Sequence, residues 1–363
     1  MKKIKIVQCS FGDGYAGSAK MAILSSEQLM HRGHDLTLFV SKGSLTEKRS
    51  LEKGIRTISF ETSNGKKILF NEIVEVFKNN PSEYFIAYHS LDRKAGIHLK
   101  RKFNDGFINI ASRQNITKST PLIGAFIYNR YYDYQIACGK GVGKSLIDSG
   151  IKEKKVKVIN NCIEVPENLE AISGKNVKEK NPLSNKIVLG LSTWFHKERK
   201  GFDILFKAFS ELDNNFILFI IGIPAEMQID VLNYAAEFGI DKNKIIMPGY
   251  VENIWEYYKA MDIFLLPSRS EGFSLALLEA GAAGLPVIVS NIPGNDEIIE
   301  DGKNGFLFQV ENPEGLRDAI AKLSADNNLM SSFSKNLKSI VMNKYLISNY
   351  ADNLESFLLE IKK

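Results

Sequence analysis

The sequence predicts an α/β protein built of two Rossmann-like, parallel-sheet domains facing a central cleft. Three observations predict it. Short runs rich in Ile, Val and Phe alternate with helical patterns. A polar, proline-containing stretch at 163–185 interrupts the alternation, which then restarts. The length, 363 residues, suits two domains at roughly 100–200 residues each. Strand–helix alternation implies parallel strands covered on both faces by helices. The expected division is a first domain over 1–165, a second over 166–345, and a C-terminal helix over 346–363 that returns to the first.

In the first half, IKIVQC (4–9) reads as a strand and KMAILSSEQLMHRG (20–33) as a helix with a glycine stop. DLTLFVS, YFIAYHS, FINIAS, YQIACG and VKVINN supply further strands. Stretch 163–185 reads as the domain linker. In the second half KIVLGLS, NFILFIIG, KIIMPG, DIFLLPS and PVIVSN alternate with helices near 201–212, 225–238 and 252–260, and 340–363 is amphipathic and helical.

Composition narrows the class. With 44% apolar and 25% charged residues, the chain can bury a core, which excludes disorder as its main state. Cys9, Cys138 and Cys162 are far apart and form no C-x-x-C pair, so they suggest neither a disulfide framework nor a zinc site and fit a reducing cytoplasm. The N-terminal apolar run is broken by Lys5 and Gln8 and lacks a small-residue cleavage site. It therefore reads as a first strand rather than a signal peptide, and no stretch reaches the roughly 18 apolar residues of a membrane span. Residues 1–165 carry 27 Lys+Arg against 15 Asp+Glu, and the remainder 20 against 27. A basic first domain is either ordinary solvated surface or a face that meets an anion, such as a membrane or a lipid-pyrophosphate acceptor.

The segment PSRSEGFSLALLEAGAAGLPVIVSNIPG (267–294) carries the most specific chemistry. A strand ends in a loop containing Glu271 and Gly272. Ser274 is placed to cap the following helix, whose first N–H groups and dipole form an anion site. Glu279 lies eight residues beyond Glu271, up to ~12 Å away at 1.5 Å per residue. A diphosphate at the helix tip would thus have one carboxylate near each flanking sugar. This segment resembles the E-x7-E region of glycosyltransferase family 4, retaining enzymes of GT-B fold. The resemblance implies that Glu271 holds hydroxyls of the donor sugar and Glu279 the ribose. It also implies that the amides of Phe273, Ser274 and Leu275 contact sugar and phosphates. The plain structural alternative is a capped core helix with two surface glutamates.

GLSTWFHKERKGFDILFKAF (190–209) resembles the family's phosphate-binding segment, and Lys200 before Gly201 matches its Lys. The family's Arg falls near Thr193 or Trp194, a departure. His196, Lys197 or Arg199 are candidates to supply the missing charge, Arg199 first. In the first loop, Gly12, Gly14 and Gly17 spell G-x-G-x-x-G after a strand, but the second strand ends without the acid that a dinucleotide ribose requires. These glycines therefore read as the family's flexible loop, with Gly17 opening the helix. His89 and Arg113 stand at strand ends matching the family's His and Arg positions, with Arg93 one turn beyond His89. His89 is a candidate catalytic residue; Arg93 and Arg113 are candidates for the acceptor side. TKSTPLIGAFIYNRYYDY (117–134) reads as a core helix or as an acceptor- or membrane-touching element. MPGYVENIWEYYKAMD (247–262) resembles the nucleobase-side segment, placing the base near Tyr250 and Val251.

CGKGVGKS (138–145) lacks the first glycine of a P-loop, and no D-x-D pair occurs. No metal and no cofactor beyond the nucleotide-sugar substrate is expected. The implied function is a metal-independent, retaining glycosyltransferase with Glu271, Lys200 and His89 as candidate catalytic residues. Its partners would be a nucleotide-sugar and a glycan or lipid-linked acceptor of cell-surface polysaccharide or lipopolysaccharide synthesis, without nucleic acid. Its place would be the cytoplasm, with possible peripheral contact at the inner membrane face. Rival readings are a non-catalytic nucleotide or sugar binder, a nucleotide-sugar epimerase of the same fold, and a nicotinamide-dependent oxidoreductase.

Overall fold

The computed structural model describes residues 3–12, 17–63, 67, 68, 70–116, 122–181, 183 and 185–362. The chain divides into two compact units, Met1–Glu164 with Ile347–Lys363, and Val165–Leu346.

The first unit runs β1 (Lys5–Ser10), α1 (Gly17–His31), β2 (Asp35–Ser41), α2 (Leu45–Glu52), β3 (Thr57–Phe60), a hairpin of β4 (Thr62–Ser63) and β5 (Lys67–Ile68), then α3 (Phe70–Asn79), β6 (Tyr84–Ala87), α4 (Ser90–Phe103), β7 (Ile108–Arg113), α5 (Leu122–Tyr131), β8 (Tyr134–Ala137), α6 (Lys140–Asp148) and β9 (Val156–Val158). Seven of these strands form one sheet in the order β3-β2-β1-β6-β7-β8-β9, parallel throughout. The central strands are apolar runs because helices cover both faces and every side chain is buried, as in Tyr84–Ala87.

The second unit runs α7 (Lys175–Lys180), β10 (Ile187–Ser192), α8 (Phe202–Ser210), β11 (Phe216–Ile221), α9 (Ala225–Ala236), β12 (Ile245–Gly249), α10 (Ile254–Tyr258), β13 (Ile263–Leu266), α11 (Leu275–Ala282), β14 (Val287–Ser290), β15 (Phe306–Phe308), α12 (Pro313–Ser324) and α13 (Asn327–Lys344). Its six strands are again all parallel, in the order β12-β11-β10-β13-β14-β15. The chain then returns to the first unit as α14 (Ile347–Glu360). Tyr84 donates its hydroxyl to the Leu358 carbonyl at 2.6 Å, and buried Glu355 of α14 accepts from Arg32 and His34.

One expectation needs correction. Most of the stretch read as a linker, from Val165 onward, is a built part of the second unit. Leu169, Val177 and Leu183 are buried, Lys178 pairs with Asp262 at 3.2 Å, and a Cβ on Gly174 would lie 2.4 Å from the Ala260 nitrogen. Its polar composition reflects one exposed face. The amphipathic helical region at 340–363 comprises the end of α13, in the second unit, and α14, in the first. Strands β3 and β15 have no counterpart in the predicted elements, because both are short edge strands with half-exposed residues.

In an open parallel sheet, ligands sit beyond the carboxyl ends of strands where the strand order reverses. That point falls between β1 and β6 in the first unit and between β10 and β13 in the second.

Candidate functional site

The loops leaving β10 and β13 carry the second unit's candidate residues. Gly201 ends the first of them in a left-handed conformation (φ 66°), and a Cβ there would stand 2.0 Å from the Pro267 carbonyl oxygen. Only glycine allows this approach, and it seats Lys200 beside the β13 loop. Lys200 Nζ lies 2.7 Å from Glu271 Oε1, both side chains mostly buried. The loop with Glu271 is braced from behind by Gly294 (φ 97°), whose Cβ would lie 2.7 Å from the Gly272 carbonyl oxygen.

Ser274 caps α11, its hydroxyl accepting from the Leu277 amide at 3.3 Å. Leu275 is the first residue of that helix. The Phe273 side chain turns into the core and meets Tyr345 edge-on, with ring centroids 5.2 Å apart. Glu279, on the same helix, is only 5% exposed and accepts from the Tyr258 hydroxyl at 2.9 Å. Burial, then the charge of Glu279, pushes the Tyr258 phenol well up from its ordinary value. Glu279 is therefore not a surface glutamate. Tyr250, 71% exposed, and half-buried Val251 follow the end of β12.

The basic loop 196–200 is partly committed elsewhere. Lys197 Nζ lies 4.2 Å from the centroid of the Tyr234 ring, and His196 Nδ1 accepts from the Arg199 amide at 3.3 Å. Arg199 is exposed, and its carbonyl accepts from the Arg269 amide at 2.9 Å. Arg269, unassigned by motif, ties the site together: its guanidinium grips Asp203 with two bonds of 2.7 and 2.8 Å and also pairs with Glu311. Those carboxylates hold it charged, with a pKa raised above its ordinary value.

In the first unit, the β1 and β6 loops meet around His89, which precedes α4. Its Nε2 lies 2.6 Å from Ser18 Oγ, next to Gly17, the first residue of α1. Its Nδ1 lies 3.2 Å from Asp92 Oδ2. A Cβ on Gly12 would stand 3.1 Å from Nε2, so this glycine admits the imidazole. Gly14 lies outside the described residues. Arg93 and Arg113 converge on Tyr128: Arg93 Nε donates to its hydroxyl at 3.2 Å, and the Arg113 guanidinium lies 5.1 Å from its ring centroid. Arg113 also donates to Gln135 at 3.0 Å. Burial, then the charge of Arg93, pushes Arg113 down to about 10, so it stays charged at neutral pH.

Residues 117–121 of the aromatic–basic tract lie outside the described residues. From 122 the tract is α5, partly solvent-facing, with Phe126 69% exposed, so it is not a core helix. The P-loop look-alike is a packing motif: a Cβ on Gly143 of α6 would lie 3.1 Å from Val158 of β9. Among the described residues no cluster of three His, Cys, Asp or Glu could hold a metal ion. No helix among them is long and apolar enough to cross a membrane.

Asp92, Ser18, Tyr258 and Arg269 escaped the motif reading. Asp92 had a usable signal: an acid three residues after a helix cap, as in a capping box. Ser18, Tyr258 and Arg269 acquire their contacts only by tertiary packing.

Two parallel-sheet units whose candidate residues sit at topological switch points define a GT-B fold. The Anabaena protein HepE, solved with UDP and glucose, superposes with a TM-score of 0.87 at 17% identity, covering 99% of this chain and all of that one. Residues 175–339 match the family model described as glycosyl transferases group 1. An uncharacterized glycosyltransferase of Haemophilus influenzae is 32% identical over 298 residues, 75% of this chain and 82% of that protein. The chain belongs to this glycosyltransferase family. The UDP-Gal:alpha-D-GlcNAc-diphosphoundecaprenol alpha-1,3-galactosyltransferase of Escherichia coli is 28% identical over 213 residues, 57% of this chain but only 54%, about half, of that enzyme's length.

Proposed function

We propose that this chain is a retaining, metal-independent glycosyltransferase. It moves a sugar from a nucleoside-diphosphate donor to a glycan or lipid-linked acceptor in cell-surface polysaccharide or lipopolysaccharide synthesis. One observation carries the reading. At the second unit's switch point, Lys200 of the loop leaving β10 meets Glu271 at 2.7 Å, and Glu271 stands in the loop that leads to the capped start of α11. A cation, helix amides and a carboxylate together suit a diphosphate joined to a polyol.

As the glycosidic bond breaks, charge grows on the leaving diphosphate. Lys200, with Arg199 and the amides of Phe273, Ser274 and Leu275, stabilises that charge. Glu271 exchanges its bond to Lys200 for hydroxyls of the donor sugar. Glu279 takes the ribose, and the backbone at Tyr250 and Val251 takes the base. The leaving phosphate accepts the acceptor's proton. In the first unit, His89 is assigned to the transferred sugar and Arg93 and Arg113 to an anionic part of the acceptor. The excess of Lys and Arg over residues 1–165, 27 against 15 Asp and Glu, favours peripheral contact with an anionic membrane. The UDP and glucose of HepE and the lipid-linked substrate named for the E. coli relative support this class of donor and acceptor.

A thermal-shift panel of nucleoside diphosphates tests the donor, since a ligand of the folded state raises Tm by mass action. Hydrolysis of the matching nucleotide-sugar without added metal should vanish in Glu271→Ala. Tight diphosphate binding with no hydrolysis or transfer in the parent would instead identify a non-catalytic binder, and turnover of donor to its epimer would identify an epimerase.

A further inference from the structure

Asp92 is wholly buried in the first turn of α4, and it ties together the two loops of the first unit's switch point. Its Oδ1 accepts from the Phe11 amide at 2.9 Å. Its Oδ2 accepts from the amides of Tyr88 at 3.1 Å and His89 at 2.6 Å. The same oxygen lies 3.2 Å from His89 Nδ1, and Ser10 Oγ lies 3.4 Å from that nitrogen. The His89 side chain is 23% exposed, so the ring is held from the buried side and open on the other.

A carboxylate only accepts hydrogen bonds, so the proton between Asp92 and His89 resides on Nδ1. In the neutral imidazole this leaves Nε2 as an acceptor, and the Ser18 hydroxyl, 2.6 Å away, is its donor. Three backbone amides fix the carboxylate before the imidazole is added, so the ring orientation is set by buried backbone rather than by the ligand.

We propose that Asp92 is a positioning residue. It locks His89 in the tautomer whose bare Nε2 accepts a hydrogen bond from a hydroxyl of the bound sugar, in exchange for Ser18. The sugar as ligand rests on the glycosyltransferase reading; the tautomer does not.

The test uses the full chain labelled with 15N-histidine. Long-range 1H–15N spectra are recorded above the usual imidazole titration range, with the His89 signals assigned by their loss in His89→Gln. The parent should show a protonated Nδ1 and an unprotonated Nε2, and Asp92→Ala, which removes the acceptor, should abolish that preference. In the same variant kcat for transfer or donor hydrolysis should fall about 10–100-fold, with donor KM little changed. A parent spectrum with the proton on Nε2 overturns the proposal without any variant, so a poorly folding Asp92→Ala does not shield it. A folded Asp92→Ala that keeps both tautomer and kcat overturns it equally. The expected tautomer in a parent that turns over no nucleotide-sugar overturns the glycosyltransferase reading and the sugar hydroxyl with it.

Discussion

Gly294→Ala is the most informative single change, because it perturbs the loop carrying Glu271 without replacing any residue assigned to the donor. Gly294 has φ 97°, and a Cβ there meets backbone only: the Gly272 oxygen at 2.7 Å, the Gly272 carbon at 3.1 Å and the Glu271 oxygen at 3.3 Å. Normal contact begins at about 3.4 Å, so the Gly272–Phe273 peptide, directly after Glu271, must move by roughly 0.7 Å. Non-glycine residues at such φ values cost about 1–3 kcal/mol. A misplacement near 1 Å in a catalytic constellation costs about 100-fold, so a fall in kcat/KM of about 10–100-fold is expected. Gly302→Ala separates the two effects. Gly302 has φ 72° but nothing within 4 Å of its Cβ, so it carries strain alone and should keep the parent's turnover. Thermal melts and nucleotide-sugar turnover, measured on both variants, provide the comparison. A Gly294→Ala protein melting no lower than the Gly302→Ala control, with parent-like turnover, would refute the idea that this contact holds Glu271 in place.

Three further outcomes are expected. Lys200→Ala should weaken nucleoside-diphosphate binding about 10–100-fold in a calorimetric titration, the worth of one charge-assisted bond; unchanged affinity would remove Lys200 from the phosphate site. Tyr258→Phe should cost about 1.5–3 kcal/mol in urea unfolding, because buried Glu279 loses its 2.9 Å donor; a neutral effect would show that Glu279 needs no such partner. Glu355→Gln should cost about 3 kcal/mol, near the bottom of the range for breaking a buried pair, since Arg32 keeps Asp352 at 2.7 Å. Burial alone would raise the Glu355 carboxyl, but its bonds to Arg32 and His34 override that and hold it low. Its stabilisation is therefore complete above the unfolded value of about 4.3 and lost as pH falls through the lower folded value. The gap between parent and Glu355→Gln should close at acid pH, and a constant gap across a pH series of urea melts would contradict this.

The amino-acid sequence by itself determined the layered α/β class, most central strands, and the loops that would carry chemistry. Those features are local. Fully buried parallel strands must be continuous apolar runs, and a glycine with positive φ or a capping serine announces itself within a few residues. Lys200, Glu271 and His89 were legible because each stands in such a loop. Only the tertiary structure decided what those residues touch. Lys200 and Glu271 are 71 residues apart along the chain, and they meet because β10 and β13 are neighbours at the sheet's switch point. Tyr258 reaches Glu279, Arg269 reaches Asp203 and Glu311, and Ser18 reaches His89 likewise only through the packing of elements distant in sequence. The polar stretch after Val165 misled because composition reports solvent exposure of one face, whereas Gly174 and Val177 reveal their buried face only once the rest of the unit is packed against them.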